Sequence, residues 1–187
     1  MGISIHYSGY IFDKKLIGTL IEEVKEICET LEWEPRTVDD DEIRGICFAP
    51  KGSEPAFLTF NHNGRLLSPI NIMVKEMYDG VRFDKDLLFT TSTKTQYTDP
   101  DAHIAITKLL KHISAKYLKD FTLSDEGYYW ETGNEKILFD QFKNYDAAID
   151  SFCEAMEGLS AVPGETAESL GDRLEKLLRE KFGGKKE

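Results

Sequence analysis

The most constraining feature of the sequence is an amphipathic helical stripe that follows shortly after a predicted strand. Residues 3–7 alternate apolar and polar side chains, a period typical of a half-buried strand. Beyond Asp13, which is suited to cap a helix, apolar residues recur with the period of 3.6 that predicts a helix with one buried face. That face comprises Leu16, Ile17, Leu20, Ile21, Val24, Ile27, Cys28 and Leu31. A strand followed by an amphipathic helix is typical of a fold in which helices pack on a sheet.

Further strands and turns are predicted from short apolar runs. The predicted strands cover residues 43–48, 56–60, 70–74, 86–94, 121–123 and 128–131. Asn63-Gly64 predicts a hairpin with a type I′ turn, which needs positive φ at both central residues. Pro69 restricts the following strand to a sheet edge.

Three more helices follow from capping signals and periodicity. Asp99 and Pro100 predict the start of one helix, apolar spacing predicts another from Leu138, and a last one covers about residues 166–182. We therefore expect an α+β fold, with a mixed or antiparallel sheet and helices on one face. The element order suggests two βαββ units followed by two C-terminal helices. One domain is expected over residues 1–182, with pseudo-halves at 1–80 and 86–160 and a frayed tail at 183–187.

Composition restricts the class of partner. The chain carries 34 acidic and 23 basic residues, a net charge of −11, and 41% hydrophobic residues. That apolar content supports a sizeable core, and the acidity argues against nonspecific binding to nucleic acid. The beginning of the sequence lacks the pattern of a signal peptide, and no apolar run is long enough to span a membrane. Three widely spaced cysteines suggest neither a zinc site nor a redox pair, so we expect a cytoplasmic protein without cofactor or metal.

Well-known catalytic motifs are absent from the sequence. It has no dinucleotide-binding glycine pattern, P-loop, serine nucleophile elbow or zinc-protease helix motif. Nucleotide-dependent, lipase-like and zinc-protease functions are therefore disfavoured.

The strongest candidate site is the acidic and aromatic segment at 125–134. Glu126 and Glu131 form a carboxylate pair suited to acid–base chemistry, and Trp130 offers a surface for a sugar or a cation. On a strand, however, Trp130 and Glu131 point to opposite faces. A structural hairpin with an acidic tip is the alternative interpretation.

A second candidate is the threonine-rich segment that precedes the helix at Asp99. Thr93, Thr95 and Tyr97 supply hydroxyl groups beside a helix start, which suits a neutral polyol or a cation better than a phosphate because Asp99 and Asp101 lie there. A solvated threonine-rich strand is the alternative. We expect this strand end and Trp130 to line one pocket.

One histidine is a candidate general base. His103 follows Asp99 and Asp101, and a carboxylate partner can fix the tautomer of an imidazole ring. A histidine packed at the margin of the core is the alternative.

Thr95-Gln96-Tyr97, His103, Asp125-Glu126-Gly127 and residues 129–133 resemble a group of small bacterial proteins of unassigned function. The resemblance is best over residues 95–134 and weaker over residues 5–9. It implies a bacterial cytoplasmic origin, and it assigns no catalytic residue.

Two classes of function remain. The first is a non-catalytic protein that binds a small polar ligand or a basic protein partner. The second is a small hydrolase or sugar-active enzyme that uses Glu126 and Glu131 with help from His103, which requires these three groups to meet in one pocket. Assembly through the apolar stripe of the last helix is a third hypothesis.

Overall fold

Strand β1 is the centre of one of two antiparallel sheets. The structure, a computed structural model, describes residues 2–77, 88–157, 164 and 166–182. In chain order the elements are β1 (Ser4–Ile11), a 3₁₀ turn (Lys14–Leu16), α1 (Ile17–Thr30), β2 (Glu34–Asp39), β3 (Ile43–Ala49), β4 (Ala56–Asn61), α2 (Pro69–Met77), β5 (Thr91–Lys94), α3 (Pro100–Tyr117), β6 (Leu118–Asp125), α4 (Tyr129–Thr132), α5 (Glu135–Glu157) and α6 (Ala167–Phe182).

The strands form two three-stranded sheets with helices packed against them. One sheet has the order β5–β1–β6 and the other the order β2–β3–β4, and every pairing is antiparallel. The α+β prediction is confirmed. The strands divide between two sheets because β1 pairs with β5 and β6, which lie far along the chain, rather than with β2.

Backbone and side-chain hydrogen bonds connect the two sheets. The Tyr7 hydroxyl donates to the Phe57 carbonyl and accepts from the Phe57 N–H, both at 2.9 Å. The Leu66 N–H donates to the Gly9 carbonyl at 2.9 Å, so the chain after β4 also bonds to β1. Burial raises the pKa of Tyr7, which keeps this hydroxyl neutral.

Helix α1 supplies part of the core, as its periodicity predicts. Leu20, Val24 and Cys28 are fully buried, and the Asp13 carboxylate accepts the Lys15 N–H at 2.9 Å at the start of the preceding turn. Burial raises the pKa of the Cys28 thiol to about 11. Cys28 is therefore a core residue with the low reactivity of a buried thiol.

Two local predictions are wrong. Residues 70–74 lie in helix α2 rather than in a strand, because Pro69 occupies the first helical position and the Ser68 hydroxyl accepts the Ile70 N–H at 3.2 Å. The hairpin after β4 is present, but its turn is not of type I′, since Gly64 has φ of 75° and Asn63 does not share the positive φ.

Strand β2 was not expected from the sequence. It lies at a sheet edge with mostly exposed side chains, so backbone pairing with β3 defines it and no apolar alternation marks it. Of the predicted strand at 86–94, residues 86 and 87 lie outside the described residues, and the strand itself is Thr91–Lys94.

The second half of the chain departs from a repeated βαββ unit. It runs β5, α3, β6 and then the helical turn α4, where the last predicted strand was expected. The chain divides into two compact units, residues 1–142 and 143–187. The expected domain limits of 1–182 stay a prediction, and the expected tail at 183–187 lies outside the described residues.

The second unit contains the end of α5 and all of α6. Along α5 the apolar residues Ile149, Phe152 and Met156 are each about 40% exposed (42%, 38% and 42%).

None of the helices in the described part of the chain combines the length and apolarity needed to cross a bilayer.

An ionic cluster joins α1 to α3. The Glu23 carboxylate accepts hydrogen bonds from His112 Nε2 at 2.6 Å, from Lys116 Nζ at 2.7 Å and from the Tyr117 hydroxyl. Burial by itself raises the pKa of Glu23, but the bonds from Lys116, Tyr117 and His112 outweigh it and lower the pKa to about 2. The cluster therefore stabilises the ionised form of Glu23.

Replacing Glu23 with glutamine is expected to lower the free energy of unfolding by about 1 kcal/mol at neutral pH, since its two basic partners, His112 and Lys116, are each half exposed. Because the pKa of Glu23 is lower in the folded chain, its contribution is present above the unfolded carboxyl pKa of about 4.3 and is lost as the pH falls toward 2. Urea unfolding over this range measures the difference. Glu26→Gln, at an exposed position on the same helix, is the control, and a Glu23→Gln deficit that persists at the lowest pH would contradict the assignment.

Candidate functional site

Asp125 organises the segment that carries the aromatic residues. Its carboxylate is buried and accepts the backbone N–H groups of Gly127 at 2.7 Å, Tyr129 at 2.8 Å and Trp130 at 2.9 Å. Residues Tyr129–Thr132 consequently form a helical turn, and the predicted strand at 128–131 is wrong. In a strand these N–H groups would form hydrogen bonds with a neighbouring strand. Here they donate to the Asp125 side chain instead.

Left-handed backbone conformations bracket the turn. Tyr128 has φ of 60°, as does Gly133 at the other end. Glycine adopts this region readily, but a tyrosine there is strained by roughly 1 kcal/mol or more. The conformation of Tyr128 persists because the Asp125 carboxylate fixes the residues on either side of it.

A buried histidine faces the same carboxylate. His103 Nε2 lies 3.0 Å from Asp125 Oδ1, and neither side chain has exposed surface. On the other side of the ring, Nδ1 lies 2.7 Å from the Thr95 hydroxyl oxygen, which itself donates to the Ile3 carbonyl at 3.1 Å. We call Thr95, His103 and Asp125 the buried network.

The two ring nitrogens of His103 have different surroundings. Nδ1 is within hydrogen-bond distance of the Thr95 hydroxyl oxygen, whereas Nε2 faces the Asp125 carboxylate without hydrogen-bond geometry among the described residues. The ring is therefore packed between a hydroxyl group and a carboxylate in the interior of the protein.

The balance of effects on Asp125 keeps it ionised. Burial raises the pKa of Asp125, but His103 beside it and the backbone N–H groups of Trp130 and Gly127 outweigh burial, so the pKa lies below its ordinary value. An ionised Asp125 is the form that can accept three backbone N–H groups.

A pocket of about 310 Å³ lies between this turn and helix α3. It is lined by Thr107, Lys108, Lys111, Tyr129, Trp130, Glu131, Thr132 and Gly133, and we call it the Trp130 pocket. Because the turn is helical, Trp130 and Glu131 both line the Trp130 pocket. On a strand the two side chains would point to opposite faces. The Trp130 ring packs edge-on against Phe121, with ring centroids 6.0 Å apart.

The three proposed acid–base residues do not meet in the Trp130 pocket. Glu131 lines it, but His103 is completely buried. Glu126 accepts the Ser4 N–H at 2.8 Å, lies 3.8 Å from His6 Nε2, and is not among the lining residues. Convergence of these three groups, which the hydrolase hypothesis requires, is therefore not seen.

The threonine-rich segment also lies outside the Trp130 pocket. Thr93 and Thr95 have no exposed surface, whereas Tyr97 is 73% exposed. None of the three lines the pocket, so the expectation of one pocket shared with Trp130 is wrong. Strand alternation explains the burial of Thr93, which lies on the inner face of β5 opposite Ile5.

A larger cavity lies elsewhere, on residues that the sequence did not single out. We call it the Cys47 cavity; it measures about 480 Å³ and is lined by Glu32, Glu34, Arg36, Cys47, Phe48, Ala49, Lys51 and Pro55. Burial raises the pKa of the Cys47 thiol, which disfavours a thiolate nucleophile there.

The sequence did not indicate two lining residues that define the chemistry of the Trp130 pocket. Lys108 and Lys111 lie one turn apart on α3, and Lys111 Nζ lies 6.0 Å from the centre of the Trp130 ring. Tyr129, within the predicted segment, is buried with 9% exposure. The sequence signal for the turn was the turn-forming pattern Asp-x-Gly at 125–127. The aromatic residues that follow it favoured a strand instead.

Comparison of the chain with protein-family models, with curated proteins and with solved structures finds no match. Within the described residues, no group of three or more His, Cys, Asp or Glu side chains is arranged to hold a metal ion.

Proposed function

We propose that this protein binds a small polar ligand in the Trp130 pocket, without catalysing a reaction there. The observation that carries the proposal is that the buried network fixes the backbone N–H groups of the turn presenting Tyr129, Trp130 and Glu131 to the pocket. A volume of about 310 Å³ falls at the lower end of the range for small-molecule sites.

The energetic cost of this arrangement supports a role in binding. Burying the Asp125 carboxylate costs several kcal/mol in desolvation, and Tyr128 adds backbone strain. Both features lie at the turn that forms one wall of the pocket. A wall held rigidly before binding loses less entropy when a ligand arrives, which raises affinity.

The absence of catalysis in the proposal follows from the placement of the acidic residues. Glu131 is the carboxylate that lines the pocket, and His103 has no route to a ligand because its side chain is buried. His103 is therefore a positioning residue, which acts through Asp125 on the turn.

A fragment screen by amide NMR tests the proposal. With isotope-labelled protein and a set of small neutral, acidic and basic polar molecules, we expect binders that shift the amide signals of residues 129–133 and the indole N–H of Trp130. Trp130→Ala is expected to weaken these binders by about tenfold or more, as for a central aromatic contact.

Trp33→Phe is the matched control, because Trp33 stacks on Phe48, a residue of the Cys47 cavity, with ring centroids 5.6 Å apart. It should leave binding at the Trp130 pocket unchanged. The proposal fails if no molecule in the set shifts these signals, or if the shifts map to the Cys47 cavity and respond to Trp33→Phe instead.

A further inference from the structure

The lining of the Trp130 pocket has the opposite charge to the protein as a whole. The chain has a net charge of −11, yet the charged residues around the pocket are Lys108, Lys111 and Glu131. Neither lysine forms a salt bridge with a carboxylate in the described part of the chain, in contrast to Lys116, which binds Glu23 at 2.7 Å. Two neighbouring ammonium groups without a counter-ion favour an anionic group between them.

The aromatic wall offers a second, apolar contact beside the lysines. Trp130 is half-buried and fixed against Phe121, so its ring is a rigid surface that loses little conformational entropy when a ligand packs on it. Lys111 Nζ lies over the face of this ring, 6.0 Å from its centre, so a ligand that packs on the ring also comes close to the ammonium group. A ligand that uses both groups combines a flat apolar face with a negative charge.

Two polar groups that line the pocket can meet hydroxyl groups of a ligand. Tyr129, with 9% of its surface exposed, carries a hydroxyl that can donate a hydrogen bond. Among the described residues the Glu131 carboxylate accepts one long hydrogen bond, from the Asp125 N–H at 3.4 Å, which leaves most of its acceptor capacity for a ligand. A donor and an acceptor that line one pocket match the paired hydroxyl groups of a sugar.

From these contacts we infer that the ligand is a sugar acid, a pyranose ring that carries a carboxylate. The carboxylate lies between Lys108 and Lys111, the ring face packs on Trp130, and hydroxyl groups bond to Tyr129 and Glu131. The inference rests on the proposed function and adds the chemical class of the ligand. It differs from the neutral polyol or cation that the sequence predicts for the threonine-rich segment beside Asp99 and Asp101.

Three sugars that differ mainly in charge test the inference. Isothermal titration with glucuronate, glucose and glucosamine compares an anionic, a neutral and a cationic ligand with the same ring. Each solvent-exposed ion pair contributes up to about fivefold in affinity, so two lysines should make glucuronate about tenfold tighter than glucose at low salt. The preference should shrink as salt shortens the screening length to about 8 Å.

Substitutions test whether Lys108 and Lys111 cause the preference for glucuronate over glucose. Lys108→Met and Lys111→Met should each reduce the ratio between glucuronate and glucose severalfold, while Lys119→Met, on β6 outside the pocket, should not change it. Tyr129→Phe should weaken both sugars alike without changing their ratio, because it removes a hydroxyl contact and no charge.

The outcomes separate the inference from the proposed function. Equal binding of the three sugars, tighter binding of glucosamine, or no sugar binding while other fragments occupy the pocket overturns the sugar-acid assignment and leaves a small-ligand site. Glucuronate binding that survives Trp130→Ala overturns it as well, because the ring contact is then absent. If neither sugars nor fragments perturb residues 129–133, the proposed function falls together with the inference.

Discussion

Replacing Asp125 with alanine is expected to lower the free energy of unfolding by about 3–5 kcal/mol, because each buried donor left without an acceptor costs about 1–3 kcal/mol. The substitution removes the carboxylate that faces His103 Nε2 at 3.0 Å. It also leaves the N–H groups of Gly127, Tyr129 and Trp130 without their acceptor. Ligand binding at the Trp130 pocket should be lost at temperatures where the variant is still folded, because the turn is no longer held.

Urea unfolding and amide NMR measure the two effects separately. Glu126→Ala, one residue further along the chain, is the matched control, since Glu126 is exposed and should cost far less. Because the pKa of Asp125 is lowered in the folded chain, its stabilising contribution is present above the unfolded carboxyl pKa and is lost as the pH falls below it. An Asp125→Ala variant as stable as Glu126→Ala at neutral pH would show that the buried network does not hold the turn.

Replacing Gly127 with alanine is expected to lower the free energy of unfolding by about 1–3 kcal/mol, the usual cost of overpacking a core. A Cβ atom at Gly127 would lie 2.5 Å from Leu138 Cδ1 and 3.1 Å from both Asp125 Oδ1 and His103 Nε2. The methyl group therefore pushes on the buried network itself. Since Leu138 is fully buried, it has little room to move away.

Gly18→Ala provides the comparison for Gly127→Ala. Gly18 lies on the exposed side of α1, where an added Cβ meets no atom within 4 Å. Alanine there should raise stability by about 0.5 kcal/mol, because it reduces the freedom of the unfolded chain. Thermal unfolding of both variants gives the contrast, and a Gly127→Ala variant with unchanged stability would mean that the space beside the buried network is larger than the structure shows.

The local part of the fold was predictable because its signals lie within a few residues of one another. The apolar face of α1 and the Asp99–Pro100 start of α3 were both read correctly, and the Asp99 side chain accepts the Asp101 N–H at 2.9 Å. Strand β2 was missed because an edge strand is defined by its partner rather than by its own alternation.

The segment that the sequence proposed as a site lines a pocket, and its function as a site stays a prediction. Trp130 and Glu131 line this pocket through a helical turn, whereas the aromatic content of the segment favoured a strand. Lys108 and Lys111 gave no signal, because exposed lysines on a helix are ordinary until a second element is packed beside them. The helical turn and the lining lysines both depend on contacts between elements that lie apart in the sequence.

The sequence by itself determined the amphipathic helices, most of the strands and the α+β class, since each follows from periodicity and capping along a short stretch of chain. Tertiary structure alone decided that Thr95, His103 and Asp125 meet, because they come from the end of β5, from α3 and from the end of β6. Their meeting converts an expected strand into a rigid turn, because a buried carboxylate binds backbone N–H groups more strongly than a strand edge could. It also places His103, the expected general base, in the interior with no exposed surface.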